Sequence, residues 1–358
     1  MRLQDIAIAR LIVQQITSTR FTKATDLVAY MGAIQSQDYA MAKWAIGLRV
    51  QSCTEKDVDK ELDKGTILRT HVLRPTWHIV AAKDIYWMLA LSAPKIKALM
   101  QTNNRQLELT EKIFYKSNSI IEKELGKGKH LTREALAAVL ENAKIATHSN
   151  RLAHLLERAE LEGITCSGKT DGSKKTYALL SHRVPKKILL NKEESLARLA
   201  GIYFTSRGPA TVEDFRWWSG LTLTEARQGL ELVKADLVNE KITDKQYWMR
   251  PGLSLPARRS SSVFLLPAFD EFTISYKDRT ASLPTAHNKK ALTANGIFFP
   301  VIVVNGQVTG LWKRSFQKEA IQVTTQFFEP PGKLTDSLLK KQFKRLQQFV
   351  EATSILHT

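Results

Sequence analysis

At 358 residues the chain exceeds what one hydrophobic core organises well, so several small units sharing interfaces are expected. Its 43% hydrophobic and 25% charged content excludes a disordered chain, and no run approaches the ~18 consecutive apolar residues of a membrane span. A net charge of +18, from 53 Lys and Arg against 35 Asp and Glu, favours a polyanionic partner.

The opening MRLQDIAIARLIVQQI carries charges within its apolar stretch and has no small-residue cleavage site, so it does not read as a secretory signal and a cytoplasmic location is expected. From there one order of elements, helix, helix, helix, hairpin, recurs three times. In the first run TDLVAYMGAI (25–34) and YAMAKWAIGL (39–48) are predicted helices. A third is capped by Thr54 and reaches Gly65, and ILRTHVLRPTWHIV then reads as two strands around Arg74 and Pro75. The second run starts at LTREALAAVL with Thr132 as cap, continues with NRLAHLLERAEL (150–161), and ends in a hairpin tipped by Asp171-Gly172. In the third, Thr211 caps a short second helix, Thr222 or Thr224 starts the next, and ITDKQYWM follows. This is the layout of a winged helix, a module that serves DNA binding in some proteins and protein contacts in others.

After Pro256 the pattern turns to strands: VFLLPAFDEFTI, IFFPVIVV, QVTGLWKRSF and AIQVTTQFFE, with Asn305-Gly306 as a hairpin link. A small barrel or sheet is expected, closed by an amphipathic helix with Leu338, Leu339, Phe343 and Leu346 on its apolar stripe. The expected class is α+β. Its boundaries are a first winged-helix unit at 1–100, a second with a basic wing at 101–192, a third at 193–255, and a β-rich region at 256–358.

Most familiar enzyme classes leave no mark: there is no Gly-rich phosphate loop, no nucleophile elbow, no HExxH and no cysteine cluster. Cys53 and Cys166 read as packing residues, and His71 and His78 as polar strand positions rather than metal ligands. The polar cluster Gln35-Ser36-Gln37-Asp38 follows an apolar run at a predicted helix end, where two side chains two positions apart can converge on a substrate. Gln is no general base near neutral pH. A purine alkylated on a ring nitrogen is, however, a cationic leaving group, so amide oxygens need only orient a water near C1′, with Asp38 adding electrostatic support. The bland alternative is a pair of helix-end hydrogen-bonding side chains.

Basic residues supply the binding candidates. Between positions 169 and 192, Lys169, Lys174, Lys175, Arg183, Lys186, Lys187 and Lys192 face one acid, Asp171, and suit phosphate contact; Arg207, Lys313 and Arg314 are of the same kind. Arg74, Thr76 and His78 alternate along a predicted strand and would face DNA together, with Trp77 and Ile79 toward the core. Asp270 and Glu271 read as turn-capping carboxylates.

The stretches MGAIQSQDYAMAKWAIGLR, RTHVLRPTWHIV, RGPATVEDFRWWSGL, LLPAFDEF and VVNGQVTGLWKR, in this order, resemble the AlkZ-like family of tandem winged-helix DNA glycosylases. The resemblance implies three winged-helix motifs and a C-terminal β-barrel-like region. It also implies a monomeric, monofunctional glycosylase that needs no metal or cofactor, acts on N-alkylated purines in double-stranded DNA and in some members unhooks interstrand crosslinks. The family's motif, Gln, an aliphatic residue, then Gln or Asp, falls on Gln35, Ser36 and Gln37, with Ser36 departing from the aliphatic middle position. The alternative reading is a non-enzymatic winged-helix transcription regulator.

Overall fold

Threonine hydroxyls start several helices, because the first turn of a helix leaves backbone N–H groups that only a short side-chain acceptor can reach. Thr132 accepts from Ala135 at the start of Arg133–Asn142, and Thr211 and Thr222 form reciprocal capping boxes with Asp214 and Glu225 at the starts of Val212–Ser219 and Leu223–Val233. The structure, a computed structural model, describes residues 1–255, 261–317 and 320–357.

Contacts divide the chain into two units, Met1–Val58 with Leu196–Thr358, and Asp59–Ser195. It crosses from one to the other inside the helices Glu55–Lys64 and Lys192–Arg207.

The first unit holds the helices Leu3–Val13, Ala24–Met31 and Tyr39–Gly47, and the third helix–hairpin run. In that run Val238–Ile242 pairs antiparallel with Lys245–Met249, and Ala210 bridges Trp248, which ties the wing to the segment before the second helix. Its core is aromatic: the Tyr203, Phe204, Phe215 and Trp218 rings lie 5.2–5.5 Å apart and are fully buried. The barrel-like region takes the form of one five-stranded sheet curled part-way to a barrel. Its order is Ser354–His357, Ala320–Phe327, Gln307–Gln317, Val301–Val304, Val263–Leu266. Asn305 and Gly306 turn the chain between the third and fourth of these. Leu339, Phe343, Leu346 and Phe349 are buried along the helix Lys333–Val350, and Phe349 meets Trp44 at 5.1 Å.

The second unit opens with the hairpin Ile67–His71/Trp77–Ala81. The helices Ile85–Gln106 and Glu111–Leu125, which lie outside the expected runs, follow. Next come the second-run helices Arg133–Asn142 and Arg151–Leu161 and the sheet Leu131–Thr132, Thr176–Leu179, Thr165–Ser167. Phe114, Ile121, Leu125, Leu136, Leu140, Leu155 and Leu156 form its core.

Two local expectations are corrected. The helix expected through Ile34 ends at Met31, because Gly32 takes φ +74°, and the chain continues as the strand Ala33–Gln35. A side chain could not replace that glycine, since a Cβ there would lie 2.7 Å from Ile202. Residues Glu271–Ile274, expected as strand, form a one-turn helix capped by Asp270, whose carboxylate accepts from the Phe272 amide at 2.8 Å.

Candidate active site and nucleic-acid interface

The segment Gln35-Ser36-Gln37-Asp38 crosses from interior to surface: Gln35 and Ser36 are buried, Gln37 and Asp38 exposed. Its backbone is fixed at both ends. Upstream, Arg207 donates to the carbonyls of Met31 at 2.7 Å and Ala33 at 2.9 Å. At the segment itself, the Gln35 N–H donates to Glu271 Oε1 at 2.9 Å. Downstream, Asp38 caps the helix Tyr39–Gly47 by accepting from the Met41 amide at 3.0 Å, and Trp44 in that helix donates its indole N–H to Leu265 O at 2.8 Å.

Glu271 organises this frame. Its Oε2 accepts from Arg207 Nη2 at 2.7 Å, Ser275 Oγ at 2.5 Å and Trp218 Nε1 at 3.1 Å. Burial alone would raise its pKa, but the Arg207 guanidinium, the Ser275 hydroxyl and the Gln35 N–H together draw it down to about 2. The carboxylate is therefore ionised throughout the physiological range. Beside it Asp270 takes a two-pronged pair from Arg49 at 2.8 and 2.9 Å. The sequence carries a signal for this pair of buried acids: Asp270 and Glu271 stand inside an apolar run, and a buried carboxylate requires a cationic partner.

Around the exposed end, Lys43 pairs with Glu55 at 2.8 Å and lies 5.2 Å from the Tyr39 ring. Burial lowers the pKa of half-buried Arg314, opposed by the carboxylates of Glu55 and Asp38. Lys313, its neighbour, is exposed.

The other proposed DNA contacts separate into accessible and inaccessible groups. Lys169, Lys174, Lys175, Lys186 and Lys187 are exposed, and the wing tip carrying the first three is held by an Asp171–Lys174 bridge and by Thr170, whose amide donates to Asp63 at 2.9 Å. Three expectations need correction. Arg207 is completely buried in the Glu271 network, so it braces the site instead of meeting phosphate. Arg183 is half-buried and donates to the carbonyls of Leu62 and Asp63, at 2.7 Å to the latter, which caps the C-terminal end of the helix Glu55–Lys64. His78 is buried, with Nδ1 2.9 Å from Thr76 O, so it does not share a face with Arg74 and Thr76. Pro75 is the reason: Arg74 and Thr76 lie in the turn and are partly exposed, and the strand alternation restarts only at Trp77. Trp77 is itself partly exposed, packed against His71 at 4.0 Å and under Arg69 at 3.8 Å.

Burial pushes the thiols of Cys53 and Cys166 up to about 12, which suits packing roles. No group of His, Cys, Asp and Glu among the described residues has metal-binding geometry, and no described helix is long and apolar enough to cross a membrane.

A curated relative, an interstrand DNA cross-link repair glycosylase from Streptomyces sahachiroi, is 23% identical over 316 residues, covering 81% of this chain and 82% of the relative. The solved structure of Streptomyces sahachiroi DNA glycosylase AlkZ superposes with a TM-score of 0.83 at 19% identity, covering 100% of this chain and 99% of that one, which establishes a shared fold. The sequence pattern of the DNA glycosylase AlkZ-like family matches residues 28–349, and the chain therefore belongs to that family.

Proposed function

We propose that this protein is a monofunctional DNA glycosylase that hydrolyses the N-glycosidic bond of N-alkylated purines in double-stranded DNA, with interstrand crosslinks among its substrates. The observation that carries the reading is the fixed Gln35–Asp38 segment, anchored by buried Glu271 and Arg207 and ending in an exposed Gln37. In this reading Gln37 and Gln35 orient a water at C1′. The C1′–N bond breaks with its electron pair passing to the cationic base, which leaves neutral; the water oxygen bonds to C1′ and its proton passes to solvent. Asp38, already a helix cap, adds negative charge near the oxocarbenium-like transition state. Rigidity matters more than basicity here, because a good leaving group requires only a placed nucleophile. Exposed Lys169, Lys174, Lys175, Lys186, Lys187 and Lys313, with Arg74, Thr76 and Arg314, supply the contacts to DNA.

Single-turnover release of 7-methylguanine from duplex DNA tests this, comparing wild type with Gln37→Ala and Gln35→Ala at matched DNA occupancy. The expected loss for Gln37→Ala is on the order of a hundredfold or more, with affinity retained. Tight binding by the wild type without base release would favour a non-enzymatic DNA-binding protein.

A further inference from the structure

The four-residue helix Glu271–Ile274 has functional connections at both ends. Its first residue holds the Gln35 amide; its last turns outward to Trp217, whose indole N–H donates to Ile274 O at 2.9 Å. Adjacent tryptophans thus meet this helix at its two ends, Trp218 at the Glu271 carboxylate and Trp217 at the Ile274 carbonyl.

Two cations gather on the partly exposed Trp217 ring. Lys277 Nζ lies 5.0 Å and the Arg279 guanidinium 5.4 Å from its centroid. Both are placed by rigid backbone. The amides of Lys277 and Asp278 donate to buried Asp214 Oδ1 at 2.9 and 3.1 Å, and Arg279 Nε donates to Thr273 O at 2.8 Å. The neighbouring acids have other partners: Asp278 pairs with Lys245 and accepts from Thr280, and Asp214 faces Arg10 at 3.6 Å. Among the described residues Lys277 makes no ion pair, and its side chain is exposed. A solvated ammonium held beside a second cation on an aromatic plate is a site for an anion that brings its own charge.

We propose that Lys277, Arg279 and Trp217 form a subsite for one DNA backbone phosphate, set at a fixed offset from the Gln35–Gln37 segment by the helix Glu271–Ile274. Lys277 is the direct phosphate ligand, Trp217 the plate that orients it, and Arg279 the second source of positive potential. The subsite rests on the DNA-repair reading and deepens it: backbone grip and water placement share one short, buried link, so a phosphate seated there sets which C1′ reaches Gln37.

The test is duplex affinity as a function of salt for the full chain, using a 7-methylguanine duplex, with wild type, Lys277→Gln, Lys277→Arg and, as a control, Lys340→Gln at an exposed position on the C-terminal helix. One lost phosphate contact makes the log–log slope shallower by about 0.9, so the wild-type to Lys277→Gln affinity ratio shrinks about threefold between about 50 and 200 mM salt. Lys277→Arg restores the slope and Lys340→Gln leaves it unchanged. A scan of neutral methylphosphonate linkages then finds one position, at constant distance from the lesion, that weakens wild type but not Lys277→Gln. An unchanged slope in Lys277→Gln, an equal change in Lys340→Gln, or no such linkage position overturns the subsite. Base release is read separately: slope loss without release by any variant keeps the subsite and rejects the glycosylase, whereas release with an unchanged slope does the reverse.

Discussion

The amide of Gln35 is held by the carboxylate of Glu271 at 2.9 Å, across 236 positions of sequence. The backbone of the Gln35–Asp38 segment is thereby referenced to a buried ion pair, since the same carboxylate takes Arg207, and Arg207 returns to the carbonyls of Met31 and Ala33 just upstream. The loop closes on itself through charge, and each partner's removal leaves the other without compensation.

Glu271→Gln is accordingly expected to destabilise the protein by about 3–5 kcal/mol, because the Arg207 guanidinium remains buried without its counter-charge. The double variant Arg207→Met/Glu271→Gln should cost much less than the sum of the single changes. Urea unfolding of the four proteins measures the coupling, and additive effects would show that the pair is not a unit.

Acid should reveal the same pair. The folded-state pKa of Glu271 lies at about 2, below its ordinary value of 4.5, so its contribution to stability is complete above about pH 4.5 and disappears as pH falls toward 2. That contribution is roughly 3 kcal/mol. Asp278, also drawn down to about 2 by Lys245 and Thr280 against the effect of burial, adds a smaller amount because it is partly exposed. Stability measured from pH 6 to about pH 2.5 should fall more steeply in wild type than in Arg207→Met/Glu271→Gln; parallel curves would contradict the assignment.

Gly47 ends the helix that follows the motif, and a Cβ there would lie 2.2 Å from the Phe349 ring. Gly47→Ala should lower stability by about 1–3 kcal/mol through overpacking. Adding Phe349→Leu should recover part of the loss. Thermal melts of the three proteins decide, and a failure of the second change to help would place the strain elsewhere.

On the proposed reading, the wing lysines are expected to act on affinity without touching chemistry. Lys174→Gln/Lys175→Gln should weaken duplex binding and make its salt dependence shallower by up to about 1.8, while single-turnover base release at saturating protein stays at the wild-type rate. A fall in that rate comparable to Gln37→Ala would give the wing a part in the reaction.

Much of this was legible in the amino-acid sequence where the signal is local. Thr132, Thr211 and Thr222 announce helix starts because capping is decided within four residues, and Asn305-Gly306 announces a hairpin because few dipeptides accept its backbone. What escaped depends on distant partners. Arg207 looks like any surface cation until Glu271 arrives, and Arg183 until the carbonyls of Leu62 and Asp63 do. The strand at Gln35 was hidden by an apolar run that fits a helix equally well until Gly32 breaks it. The helix Ile85–Gln106 contains Pro94, which reads as a helix breaker, and Glu111–Leu125 stands outside the recurring helix–hairpin order although Phe114, Ile121 and Leu125 share its buried face.

Chain order gives the Gln35–Glu271 bond a meaning in time. On a ribosome adding about 5–20 residues per second, Gln35 emerges roughly 10–50 s before the residue that anchors it. During that interval the whole of Asp59–Ser195, a compact unit by its own contacts, is synthesised. The Gln35–Asp38 segment is therefore made well before the residue that clamps it, so a product interrupted between the two carries the glutamines without the clamp.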